Sequence, residues 1–186
     1  MGGAEGKKYF RSLAERYVPP MAKKWGKVGP RHPAWKKRIK LEIVTLSKYI
    51  KFLKSELPRP WFQLKPDPNP KYNYTLWRGF ITIPKRPEIK FKMVILLSGE
   101  YPNVIPRCLI EDRITNYTGK MYLKNNWTDP EDNIKYTMIC HDHMGQVEGI
   151  WEPNLGIAHF FIREVFIWWA AQMNLIIKVW DEKHGN

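Results

Sequence analysis

Cys140 lies in the run Tyr136-Thr137-Met138-Ile139-Cys140-His141-Asp142-His143, a thiol followed at once by two imidazoles and a carboxylate. A neighbouring imidazolium lowers the pKa of a thiol, and the thiolate is the form that attacks carbon. In extended chain His141 and His143 would share one face, opposite Cys140 and Asp142. Three roles suit these residue types: covalent chemistry at sulfur, metal ligation, or simple packing. As zinc ligands, Cys140, His141 and His143, with His159 as a further candidate, match none of the usual spacings, so no metal is expected. Eleven positions after the cysteine, Trp151-Glu152-Pro153 opens a long apolar stretch. The other cysteine, Cys108, sits in a segment of strand character. Two cysteines are too few for a disulfide framework, although a Cys108–Cys140 bridge stays open as an alternative.

The elements that must position this run follow from hydrophobic periodicity. Trp35, Ile39, Ile43, Leu46, Ile50, Leu53 and Leu57 are spaced three or four apart, predicting an amphipathic helix over residues 34–57. Pro58 and Pro60 end it. Lys36, Lys37, Lys40 and Lys48 fall mostly off the stripe, as a solvated face or a docking face. Residues 74–84, 89–97 and 104–111 are rich in bulky apolar side chains and separated by short turns, which predicts strands in an antiparallel meander of about four. Residues 112–135 are mostly polar and read as a long irregular loop leading to the cysteine. Residues 155–176 carry few charges and predict a helix apolar around most of its circumference, buried at the centre. The result is an α+β domain with helices packed on a meander.

Composition narrows the class further. At 186 residues the chain is long enough for one domain with a real core, and its 44% hydrophobic content argues against overall disorder. No apolar run approaches the ~18 uninterrupted residues expected of a membrane helix, so a soluble, cytoplasmic protein with no membrane partner is the expectation. The net charge of +13 is uneven: residues 1–57 hold fifteen Lys/Arg against four Glu, whereas the remainder is nearly balanced. Nucleic acid or an acidic protein surface would answer such a patch, but no recognised nucleic-acid motif accompanies it. Residues 1–33, basic and broken by prolines, read as a partly flexible arm with one short helix near residues 7–17. Residues 34–186 read as the domain.

These residues, in this order, resemble the ubiquitin-conjugating enzymes across roughly residues 34–175. The family pattern has a basic amphipathic helix, then a tryptophan opening the first strand and a proline ending it, matched by Trp77 and Pro84. Phe91-Lys92-Met93-Val94-Ile95, Tyr101-Pro102 and Pro106 follow the family's next strand and turn. Ile139-Cys140-His141-Asp142 matches its Ile-Cys-Leu-Asp, and Trp151-Glu152-Pro153 its Trp-x-Pro before the crossover helix. The resemblance implies a fold with an N-terminal helix, meander, active-site loop and buried crossover helix. It implies that Cys140 carries a ubiquitin-like modifier as a thioester and passes it to a lysine amine, with no cofactor. The partners implied are the modifier, an activating enzyme and a RING-type ligase.

In the family an asparagine amide steadies the loop or the oxyanion, a role for which Asn133 is the candidate, beside the simpler reading of a turn former. His141 or His143 would act as a base toward the lysine or lower the Cys140 pKa, and Asp142 would orient the lysine or a loop. Lys36, Lys37, Lys40 and Lys48 would dock the activating enzyme, while Trp151 and Pro153 serve packing and turning. The His-Pro-Asn tripeptide of the family is replaced here by Asp129-Pro130-Glu131-Asp132-Asn133. The stretch between Pro106 and Cys140 carries an insertion, and the chain ends soon after the crossover helix, which suggests a divergent, minimal member. A non-catalytic binding module of the same fold is the alternative.

Overall fold

The computed structural model describes residues 4–118, 123–139 and 151–185. Helix α1 spans Ala4–Tyr17 and helix α2 spans Trp35–Glu56. Leu57 turns to extended backbone immediately before Pro58, as the residue preceding a proline must. Six strands follow: β1 Phe62–Pro66, β2 Leu76–Ile83, β3 Arg86–Leu96, β4 Arg107–Glu111, β5 Leu123–Thr128 and β6 Lys135–Ile139. Helix α3, Ile157–His184, closes the described chain.

The strands form one antiparallel sheet in the order β1-β2-β3-β4-β6-β5. The expected strands β2, β3 and β4 are present, but the sheet has six strands where about four were expected. The excess comes from β1, in the proline-rich connection, from β5, within the stretch read as an irregular loop, and from β6, formed by the residues just before Cys140. Leu123-Lys124-Asn125-Asn126-Trp127-Thr128 has little strand propensity of its own. It is a strand because it pairs with β6, from Leu123 opposite Ile139 to Thr128 opposite Lys135.

One sheet face carries Trp77, Ile81, Phe91, Met93, Ile95, Cys108 and Ile110 into the main core. The helices cover that face. Phe10, Ala14 and Val18 belong to this same core, so the segment around α1 packs on the domain. A smaller cluster of Leu76, Val94, Leu109 and Tyr136 lies apart from it.

Helix α3 is long and apolar enough, by length and composition, to cross a membrane. Here it is a core helix: Ile157, Phe160, Phe161, Val165, Trp168 and Trp169 are buried, and Phe62 of β1 stacks on Phe161 at 4.2 Å. Its Phe161–Val165 turn is π-helical. The helix runs eight residues past the predicted end at 176 because its last turns keep making contacts. Trp180 stacks on Tyr117, and Gly185, at φ 70°, caps the end through its N–H to the Asp181 carbonyl.

Candidate active site

Cys140, His141, Asp142 and His143 lie outside the described residues. What the structure describes is both flanks of that segment. On the upstream side, β6 ends at Ile139, buried and opposite Leu123. On the downstream side, the chain from Trp151 to Ile157 is held against α2 and the turn at Tyr101-Pro102.

The hold begins with two charged residues on the apolar stripe of α2. Arg38 and Glu42, one helical turn apart, are both fully buried and paired at 3.1 Å. The guanidinium has five N–H donors, and each finds an acceptor. Nε donates to Glu42, Nη1 to the carbonyls of Trp25 and Pro153, and Nη2 to the Leu155 carbonyl at 2.9 Å and the Tyr101 hydroxyl at 3.3 Å. Glu42 is equally engaged. Its Oε1 accepts the Tyr101 hydroxyl at 2.5 Å, and its Oε2 accepts the backbone N–H of Ile157 at 2.8 Å. That N–H belongs to the first turn of α3, where intrahelical partners are lacking and a negative charge is favoured.

Burial holds the Glu42 pKa above its ordinary value on balance, although Arg38, the Tyr101 hydroxyl and the Ile157 amide all favour the charged form. Burial also raises Tyr101, aided by the Glu42 charge, so its hydroxyl keeps the proton it donates. Trp151 adds a separate tie: its indole N–H donates to the Pro102 carbonyl at 2.8 Å. Its ring lies 6.4 Å from that of Tyr101, and Trp35 approaches Tyr101 edge-on at 6.0 Å.

Trp151 packs against the Tyr101-Pro102 turn, and the Pro153 carbonyl is part of the clasp around Arg38. Lys36, Lys37, Lys40 and Lys48 are exposed on α2. The buried stripe of this helix differs from the expected one: Arg38, Glu42, Tyr49 and Phe52 are inside, while Ile43 is 38% and Val44 52% exposed. Sequence reading missed Arg38 and Glu42, although an opposite-charge pair at i, i+4 flanked by Trp35, Ile39 and Leu46 was a usable signal.

Asn133 requires a correction. It sits in the turn between β5 and β6 at φ 56°, with its N–H donated to the Asp129 carbonyl. That is the Lys135 end of β6, whereas Ile139, the residue preceding Cys140, is at the other end. A five-residue strand separates them, about 17 Å at ~3.3 Å per residue. A side-chain amide there is not brought to the cysteine's end of the strand, and the left-handed backbone explains why asparagine stands at 133. The turn itself is clamped by Arg78 of β2, which pairs with Asp67, Asp129 and Glu131.

His159, the further metal candidate, is buried with both ring nitrogens engaged. Nε2 lies 2.8 Å from the Val18 carbonyl, and Nδ1 accepts the Gly156 N–H at 3.4 Å. Among the described residues no three His, Cys, Asp or Glu side chains cluster as metal ligands would. Cys108 is buried at 0% exposure on β4, and burial pushes its thiol well above the ordinary range. It is held in the thiol form.

No curated protein matches the chain. The family model described as ubiquitin-fold modifier-conjugating enzyme 1 matches residues 15–180, which takes in the α2 stripe, the sheet, the cysteine segment and most of α3. By that match, with the α+β fold behind it, the chain belongs to the ubiquitin-fold modifier-conjugating enzymes, E2-type transferases that take a ubiquitin-like modifier from an activating enzyme and work through a thioester.

Proposed function

We propose that Cys140 is the residue that carries the modifier. The observation that supports this reading most is the burial of Cys108: thioester chemistry needs a cysteine that can become thiolate and meet a bulky partner, and the chain has one other. In the first step the Cys140 thiolate attacks the modifier's C-terminal carbonyl, held as a thioester on the activating enzyme. A new C–S bond forms and the activating enzyme's thiolate departs. In the second step a lysine amine attacks the same carbonyl, the Cys140 thiolate leaves, and the nitrogen loses a proton. His141 or His143 takes that proton or lowers the Cys140 pKa, and Asp142 orients the amine.

The exposed lysines of α2, Lys36, Lys37, Lys40 and Lys48, form the docking face for the activating enzyme. The exposure of Ile43 and Val44 among them supports this, since charge steers an encounter and apolar contact holds it. A RING-type ligase assists the transfer, and the enzyme acts in the cytoplasm.

The test is a charging reaction with activating enzyme, modifier and ATP. Wild type and Cys108→Ala form an adduct cleaved by reducing agent, and Cys140→Ala forms none. A reducible adduct persisting on Cys140→Ala sinks the assignment.

A further inference from the structure

We infer that Arg38, Glu42, Tyr101 and Trp151 are positioning residues for transfer at Cys140, an inference that rests on the assignment of Cys140 above. The first argument is energetic. A fully buried ion pair is poor value for stability, because desolvation of two charges offsets most of their attraction, and apolar residues of similar volume often serve as well or better. What such a pair supplies is direction. All five Arg38 donors and both Glu42 oxygens are committed, and four of their partners lie in two short stretches: the Tyr101 hydroxyl, the Pro153 and Leu155 carbonyls and the Ile157 amide. A hydrophobic contact would tolerate sliding, whereas this set of bonds admits one arrangement.

The second argument is place. Residues 153–157 are the chain that follows the cysteine segment and starts α3. Trp151, two residues before, is tied to Pro102, the neighbour of Tyr101. The α2 helix, the Tyr101-Pro102 turn and the start of α3 are thus joined by directional bonds at the first described residues after the segment that holds residue 140. Gly156 seals the arrangement, for a β-carbon there would stand 2.3 Å from Glu42 Oε2. Holding reacting groups within a fraction of an ångström is where such rigidity acts on rate, and a small misplacement costs as much as a hundredfold.

Glu42→Gln and Trp151→Phe test this. The first keeps the shape and removes the charge, and the second keeps an aromatic ring and removes only the indole donor. Ile89→Val, a conservative change in the core, serves as the structural control. Each is followed by thermal melting and by single-turnover charging and lysine discharge, well below its melting temperature, over a range of activating-enzyme concentrations. We expect both site variants to slow single-turnover transfer at least tenfold at saturation, with the half-saturating concentration unchanged, and the control to keep the wild-type rate. Rates within twofold of wild type in folded Glu42→Gln and Trp151→Phe overturn the inference. If Glu42→Gln does not fold, Trp151→Phe decides alone. No Cys140 adduct on wild type would overturn the proposed function and this inference with it, while a normal wild-type adduct with unaffected variants overturns the inference only.

Discussion

Glu42 Oε2 receives the backbone N–H of Ile157 at 2.8 Å, so a carboxylate borne by α2 caps the first turn of α3 across 115 residues of sequence. The two helices are locked together at the start of α3, and the glycine beside the contact has no freedom to change. Gly156→Ala would drive a methyl group into Glu42 and into Met21 at 2.8 Å. Its backbone, φ −122° and ψ −176°, suits any residue, so the penalty is steric. A loss of about 1–3 kcal/mol is expected from overpacking, read by urea denaturation. Stability unchanged from wild type would show that Glu42 is free to move.

The two thiols should separate cleanly by reagent. Native protein treated with iodoacetamide is expected to be alkylated at Cys140 and spared at Cys108, with both modified in denaturant. Cys108→Ala should fold at a cost of about 1 kcal/mol from the small cavity and retain charging. Modification of Cys108 in the native state would refute its burial.

His159 makes stability depend on acid. Burial lowers its pKa to about 4, against an ordinary value of 6.5. Between those values the unfolded chain binds the proton more readily than the folded one, so stability rises with pH through the window. The contribution is whole above pH 6.5 and lost as pH falls toward 4, about 3–4 kcal/mol in all at ~1.4 kcal/mol per pH unit. His159→Gln should flatten the stability curve over that range. Parallel curves for variant and wild type would remove the assignment.

Arg78 should prove the keystone of the β5–β6 turn. Asp129, at 0% exposure, is pushed up by burial but held low on balance by Arg78 and the Glu131 amide. Arg78→Ala would leave that carboxylate buried and unpaired, at a cost of about 3–5 kcal/mol. Because the folded pKa of Asp129 lies below its unfolded value, its contribution is present at neutral pH and lost as pH falls through the acid range. Denaturation of Arg78→Ala at pH 7 checks the size, and a loss below 1 kcal/mol would refute the clamp.

Charge reversal on α2 probes docking without touching the core. Lys37→Glu with Lys40→Glu should slow charging several-fold at low salt, with the difference shrinking as salt is added, because exposed charges are screened over ~10 Å at 0.1 M. Melting should be unaffected. Equal charging rates at low salt would place the activating enzyme elsewhere.

Helix α2, strands β2 to β4 and the core helix were readable because their signals are local: apolar residues recur at the period of the element they form, and prolines mark its ends. The ordered motifs around Cys140 carried the family, which the match over residues 15–180 bears out. Local signals also misled. Ile43 has the right spacing for the buried stripe yet faces outward, and Asn133 has the right chemistry yet stands at the wrong end of β6.

By itself, then, the sequence determined the kind of protein: an α+β domain built around one cysteine motif, with a basic helix in front and an apolar one behind. Tertiary structure alone decided that residues 123–128 are a strand, that α1 joins the main core, and that Arg38 and Glu42 bind the start of α3. Each of those outcomes depends on a partner far along the chain, and no local pattern of side chains encodes where a distant partner will be.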